Sequence, residues 1–170
     1  MFACRTWSTS RLLACVAVAT MSVGLAQFAG AQTADELIRK ASAAMQAGKS
    51  KDALTALNAA MQMSPDDADL FALRARANDA AGNFEAAISD ANKYIEMKPQ
   101  EIDGYLIRAK IYVAMEKYDQ ALADANKAIS IAPNEPDGYY RRSDIYRDTN
   151  KKDLAKADEK KAEELGKAGR

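Results

Sequence analysis

The sequence predicts an all-α chain, a solenoid of four helical hairpins stacked in a row. Pro65, Pro99 and Pro133 recur at one fixed step, and Asp35, Asp69, Asp103 and Asp137 keep the same one. Small residues follow it at Ala53, Ala87, Ala121 and Ala155, and again at Ala41, Ala75, Ala109 and Ser143. A period of this length marks repeated supersecondary units, none of which can bury its apolar face without a neighbour.

Residues 1–31 differ from the rest. Arg5 and Arg11 precede a run from Leu12 to Ala31 that carries no charge, and acids begin only at Asp35. A basic start, an apolar middle and the small residues Ala29, Gly30 and Ala31 make the pattern of a secretory signal peptide, residues 1–31, with Gln32 as the mature N-terminus. The uncharged run is also long enough to cross a bilayer as an uncleaved anchor, although Thr20, Ser22, Gly24, Gln27 and Gly30 dilute its second half. Leu12-Leu13-Ala14-Cys15 resembles a lipid-attachment box, yet only polar and basic residues come before it. Each alternative leaves the repeats outside the cytoplasm, periplasmic or secreted if the leader is removed and membrane-anchored if it is not.

Removing the leader takes away Cys4, Cys15, Trp7 and two of the 24 basic side chains, leaving 22 against 24 acidic and no histidine. Disulfides, Cys/His zinc sites and histidine- or cysteine-based catalysis are therefore not expected. A slightly acidic chain gives no reason to expect nucleic-acid binding.

The first repeat, 34–67, opens with Thr33 and Glu36 in capping-box spacing. Helical periodicity then runs through Ala44 and Met45 to Gly48, and a second amphipathic run from Asp52 to Met63 ends before Pro65, which disfavours helical backbone in the residue ahead of it. The second repeat, 68–101, turns at Gly82. The third, 102–135, has Glu116 in that place, and it shares twelve identities with the second, among them Asp-Ala-Asn-Lys at Asp90 and Asp124. The fourth, 136–169, turns at Asn150 and ends in a strongly charged helix, as expected of a C-terminal cap whose outer side meets water.

These positions resemble the tetratricopeptide repeat. The resemblance rests on Leu37, Phe71, Tyr105 and Tyr139, on the small residues that follow them, on Tyr112 and Tyr146, on the second-helix alanines and on the closing prolines. It covers residues 34 to about 165. Departures are Ala44 and Ser50 in place of aromatics, Glu116 and Asn150 in place of the turn glycine, and Glu159 in place of an apolar residue. The resemblance implies a right-handed α-solenoid that binds a protein or peptide partner on an inner surface lined by the first helices. Carried over position by position, the exposed inner sites are Ala72, Leu73, Arg76 and Asp79, then Leu106, Ile107, Lys110 and Val113, then Tyr140, Arg141, Asp144 and Arg147. One subgroup of the family clamps a terminal carboxylate with lysine and asparagine. Ile38 and Ser42 occupy those places here, as do Ala72 and Arg76 one repeat on, so the clamp is not reproduced.

The aspartate column sits where first turns should begin, so these carboxylates are expected to cap amides and meet the positive end of the helix dipole. Arg74 and Asp90, Arg108 and Asp124, and Arg142 and Asp158 share one separation, which puts each pair at one height in an antiparallel hairpin and predicts exposed ion pairs. All seven tyrosines fall in the last three repeats, and Tyr140 lies off the packing positions. Asp144 and Asp148 are carboxylates that could in principle do acid/base work, but one turn apart on a charged helix they read as solvated surface. The expectation is thus a non-enzymatic interaction module without cofactors, touching a membrane only through its leader, or alternatively an assembly subunit of an envelope complex that uses its convex face or ends.

Overall fold

The structure, a computed structural model, describes residues 33–168; the signal-peptide reading of residues 1–31 lies outside them. Among the described residues there are eight helices and no strand. They are α1 (Ala34–Gln46), α2 (Ser50–Met63), α3 (Ala68–Ala80), α4 (Phe84–Met97), α5 (Ile102–Ala114), α6 (Tyr118–Ile131), α7 (Pro136–Asp148) and α8 (Lys152–Ala168). Each odd-numbered helix packs along the even-numbered one that follows, and each even-numbered helix then packs on the first helix of the next hairpin.

The turn inside each hairpin is the same device made from three residue types. Lys49, Asn83, Lys117 and Lys151 donate their backbone N–H to the carbonyl five residues back, at 2.8, 2.9, 2.8 and 2.7 Å. This closure needs a left-handed residue just before the donor. Gly48 and Gly82 supply it with φ of 70° and 78°, and Glu116 and Asn150 are held in it at 59°. The departures from glycine in the sequence therefore change the residue and not the turn. Between hairpins, Ser64, Lys98 and Ala132 leave the helical region at φ of −137°, −131° and −130°, each directly ahead of a proline.

Inside each hairpin the alanines do what their size allows. Ala53, Ala75, Ala87, Ala109 and Ala121 are all 0% exposed. Between hairpins, bulk is traded across the interface. Ala60 accompanies buried Leu70 in the first interface, whereas Tyr94 faces Gly104 in the second, where a Cβ would stand 2.7 Å from the tyrosine ring. Gly138 repeats the arrangement in the third, its missing Cβ 2.8 Å from Ile129 Cγ1.

The three arginine–aspartate pairs form, but they are not the exposed pairs the spacing predicts. Each is bidentate. Arg108 Nε and Nη2 donate to Asp124 at 2.8 and 2.7 Å, and Arg74 and Arg142 repeat this on Asp90 and Asp158 at 2.6 to 2.9 Å. The aspartate side chains are only 7, 8 and 10% exposed, because the hairpin packs around them. The free Nη1 of each arginine reaches back to the preceding hairpin, donating to Asn58, Asn92 and Asn126. One planar side chain thus ties three helices together. The bond to Asp124 raises the Arg108 pKa above its ordinary value, and Asp158 does the same for Arg142.

The aspartate column stands in first turns as expected. The side-chain cap seen at α3, however, comes from Asp67, whose carboxylate accepts from the Asp69 N–H at 2.9 Å. Asp69 instead accepts from Lys98 Nζ at 2.7 Å.

The turn and the arginine ties can each be tested by substitution. Glu116→Gly should raise unfolding free energy in urea by about 1 kcal/mol, the cost of holding a side chain in the left-handed region, and an unchanged midpoint would contradict the strained turn. Arg108→Lys keeps the charge but not the three-pronged bonding, so chemical denaturation should show a loss of about 2 kcal/mol; a loss below a few tenths would mean the guanidinium ties nothing together.

Candidate functional site

The first helices touch one another along the stack, α3 against α5 and α5 against α7, while contact between successive second helices is less extensive. A stack held closer on one side curves toward that side. The first helices therefore line its inner face.

On this face the sequence-derived residues separate into three groups by exposure. Ala72 and Ile107 are not exposed: they are 7% and 6% accessible and belong to the buried cluster formed with Ala75, Ala91, Tyr94 and Ile111. The first helices approach closely enough that this part of the helix surface turns into the stack. Leu73, Leu106 and Val113 are half-buried, which leaves apolar surface at the floor of the face. Leu73 also packs against the first core cluster. Arg76 and Lys110 are exposed above it, and Tyr140 is 44% exposed.

The charges are mostly committed to one another. Lys110 Nζ donates to Asp79 Oδ2 at 2.8 Å, joining α5 to α3 across the repeat boundary. At the last repeat, Asp144 accepts from Arg147 and lies 3.5 Å from Arg141, and Arg147 also meets Glu159 of α8 at 3.3 Å. The hydrogen bond to Asp144 raises the Arg147 guanidinium above its ordinary pKa. Asp144 thus stands between two cations. Asp148, one turn on, is exposed. Arg76 has no ionic partner among the described residues, so this face carries an open cation beside half-buried leucines. Arg141 is oriented with its Nε buried and unbonded.

Sequence reasoning missed two sets of partners. Asn58, Asn92 and Asn126 keep the repeat step and could have been found from it. The Asp79–Lys110 contact occurs once and spans successive repeats, so no recurring separation announces it. No group of three or more Cys, Asp or Glu side chains among the described residues is arranged to hold a metal ion.

Family models described as tetratricopeptide repeat match residues 38–102, 102–135 and 136–165. Among solved structures, a thermophilic TPR protein of Thermus thermophilus superposes with a TM-score of 0.72 at 22% identity, covering 78% of this chain and 74% of that one. A crystal structure of MamA gives a TM-score of 0.66 at 24% identity over 80% of both chains. The TPR domain of Arabidopsis OM64 gives 0.61 at 19% identity, over 68% of this chain and 95% of that domain. No curated protein sequence matches the chain. The likenesses are ones of fold.

Proposed function

The chain belongs to the tetratricopeptide-repeat family, and from that premise we propose that it is a non-enzymatic protein-interaction module holding a partner peptide or helix on its inner face. The observation that carries this reading is the mixed surface of the first helices: Tyr140 stands open on α7, Leu106 and Leu73 expose part of their side chains, and the exposed Arg76 cation has no ionic partner among the described residues. An extended segment or helix with alternating apolar and acidic groups finds a complement to each of these. Affinity is set by a small preformed surface that must order a flexible ligand, so dissociation constants of about a micromolar are expected.

Arg76, Lys110 and Tyr140 reach outward from helices whose cores lie elsewhere. Replacing the three together with alanine should leave the helical circular dichroism intact and weaken capture of an envelope partner at least tenfold. Capture at undiminished strength by the triple variant would remove the groove from consideration.

The compartment is proposed on the pattern of residues 1–31, a basic start followed by an uncharged run and small residues. The protein would act outside the cytoplasm, in the periplasm or beyond. Intact mass of the protein recovered from cells should correspond to a chain beginning at Gln32; a mass that still includes the leader would replace cleavage with anchoring.

A further inference from the structure

Ile145 of the last first helix is 0% exposed, and the third repeat supplies its seat. Ala121 and Ala125 form one buried cluster with it, and Val113, Tyr118 and Leu122 pack around that cluster. The joint before is built the same way: Ile111 clusters with Ala87 and Ala91, and Phe84 and Ile88 pack against them. In the fourth repeat the five seat positions hold Arg147, Lys152, Ala155, Lys156 and Glu159. These same five residues line an open cleft of about 420 Å³ between α7 and α8. The cleft is therefore the seat of an aliphatic side chain from a following helix, with its walls turned from apolar to charged.

The earlier joints also show what each charge would meet. Arg147 stands where Asp79 stands in the second repeat, and Asp79 accepts at 2.8 Å from Lys110, the residue directly ahead of Ile111 on the next first helix. With a cation in the place of that carboxylate, the position ahead of the seated residue calls for an acid. Lys152 and Lys156 replace Phe84 and Ile88, which share their cluster with Met115, one turn beyond Ile111. Both lysines are exposed and have no ionic partner among the described residues. Glu159 is held toward α7, accepting from Ser143 Oγ at 3.2 Å and lying 3.3 Å from Arg147 Nη1. The lining thus carries three cations and one committed carboxylate.

We propose that this cleft docks a helix of a partner protein that carries an aliphatic residue with an acid directly before it and a second acid one turn after. The aliphatic side chain would lie on Ala155 as Ile145 clusters with Ala121. The first acid would meet Arg147, and the second would fall to Lys152 and Lys156. A second copy of this chain does not fit. Its first helix offers Ser42 and Ala43 at the places of Lys110 and Ile111, which supplies no acid and a side chain too short to fill the seat. Of the cleft's residues only Arg147 also belongs to the inner face, so the site does not depend on that face being a groove.

The probe is a synthetic stapled helix that copies residues 102–115 with Lys110→Glu and Met115→Glu, fluorescently labelled and titrated with the protein. Saturable anisotropy is expected, roughly fivefold tighter than for the unaltered copy. Adding Ile111→Ser to the probe should weaken binding by about the same factor, since the seat is then left unfilled. A probe with Met115→Glu alone isolates the Arg147 contact: it should bind less tightly than the doubly altered probe, and Arg147→Glu in the protein should reverse that order. Lys152→Glu with Lys156→Glu, both at exposed positions of α8, should abolish binding, a change that capture in the inner groove would not feel. No saturable binding, indifference to Ile111→Ser, an order unchanged by Arg147→Glu, or binding that survives the double lysine variant would overturn the assignment.

Discussion

Two helices lie side by side along their length only if nothing bulky stands where their axes come closest. That requirement governs this molecule. Ala41, Ala75, Ala109 and Ser143 on the first helices, and Ala53, Ala87, Ala121 and Ala155 on the second, are between 0 and 2% exposed. A leucine forced onto any of them would have to displace a neighbouring backbone, at a cost of about 1 to 3 kcal/mol. With the hairpins closed so tightly, each unit is a thin slab with an apolar side, and stacking becomes the route by which that side leaves water.

What varies along the stack is how the slabs are joined. Leu57 and Ala77 lie together in the first buried cluster, Ala91 and Ile111 in the second, and Ala125 and Ile145 in the third. A large residue on one side of the joint is answered by a small one opposite, and the sides exchange between the first joint and the next two. Tyr94 against Gly104 is the extreme case, since the glycine gives up helix propensity to admit an aromatic ring. Polar ties supplement this packing as a ladder with one rung per joint. The arginines are placed where a guanidinium can meet a carboxylate edge-on and still spare one nitrogen for the previous hairpin, a geometry that lysine cannot copy.

The fold was legible in the sequence because its constraint recurs: a small residue required at every crossing and a proline after most second helices leave a period that needs no structure to be seen. The within-hairpin ion pairs were legible for the same reason. Features that occur once were not. The burial of Ile107 comes from the approach of neighbouring first helices, a relation between repeats that a single repeat's pattern does not contain. Ser143 and Glu159 are each departures from the pattern when taken alone, yet the fully buried serine hydroxyl donates to the half-exposed glutamate carboxylate at 3.2 Å, which supplies the partner that the serine's burial demands. Glu116 is legible as an exception to the turn glycine; only its φ shows that the turn is kept, with the side chain held in the left-handed region.

The same ladder changes character at the first and last of the described repeats. A rung requires arginine on the first helix, its aspartate on the second, and asparagine on the hairpin before. In the first repeat the arginine and aspartate places hold Lys40 and Ala56, so no rung begins there. In the last, the place of Asn58, Asn92 and Asn126 is taken by Lys160, whose ammonium can donate but cannot accept from a guanidinium. A second copy continuing the stack in register would set Lys160 of one molecule against Lys40 of the next, like charges where every internal joint has a donor and an acceptor. The joint would also face Lys156 and Glu163, which stand where Leu54, Ile88 and Leu122, and Met61, Ile95 and Ile129, supply apolar surface to the internal ones. Two copies stacked in register would therefore lack both the polar and the apolar contact that the internal joints share.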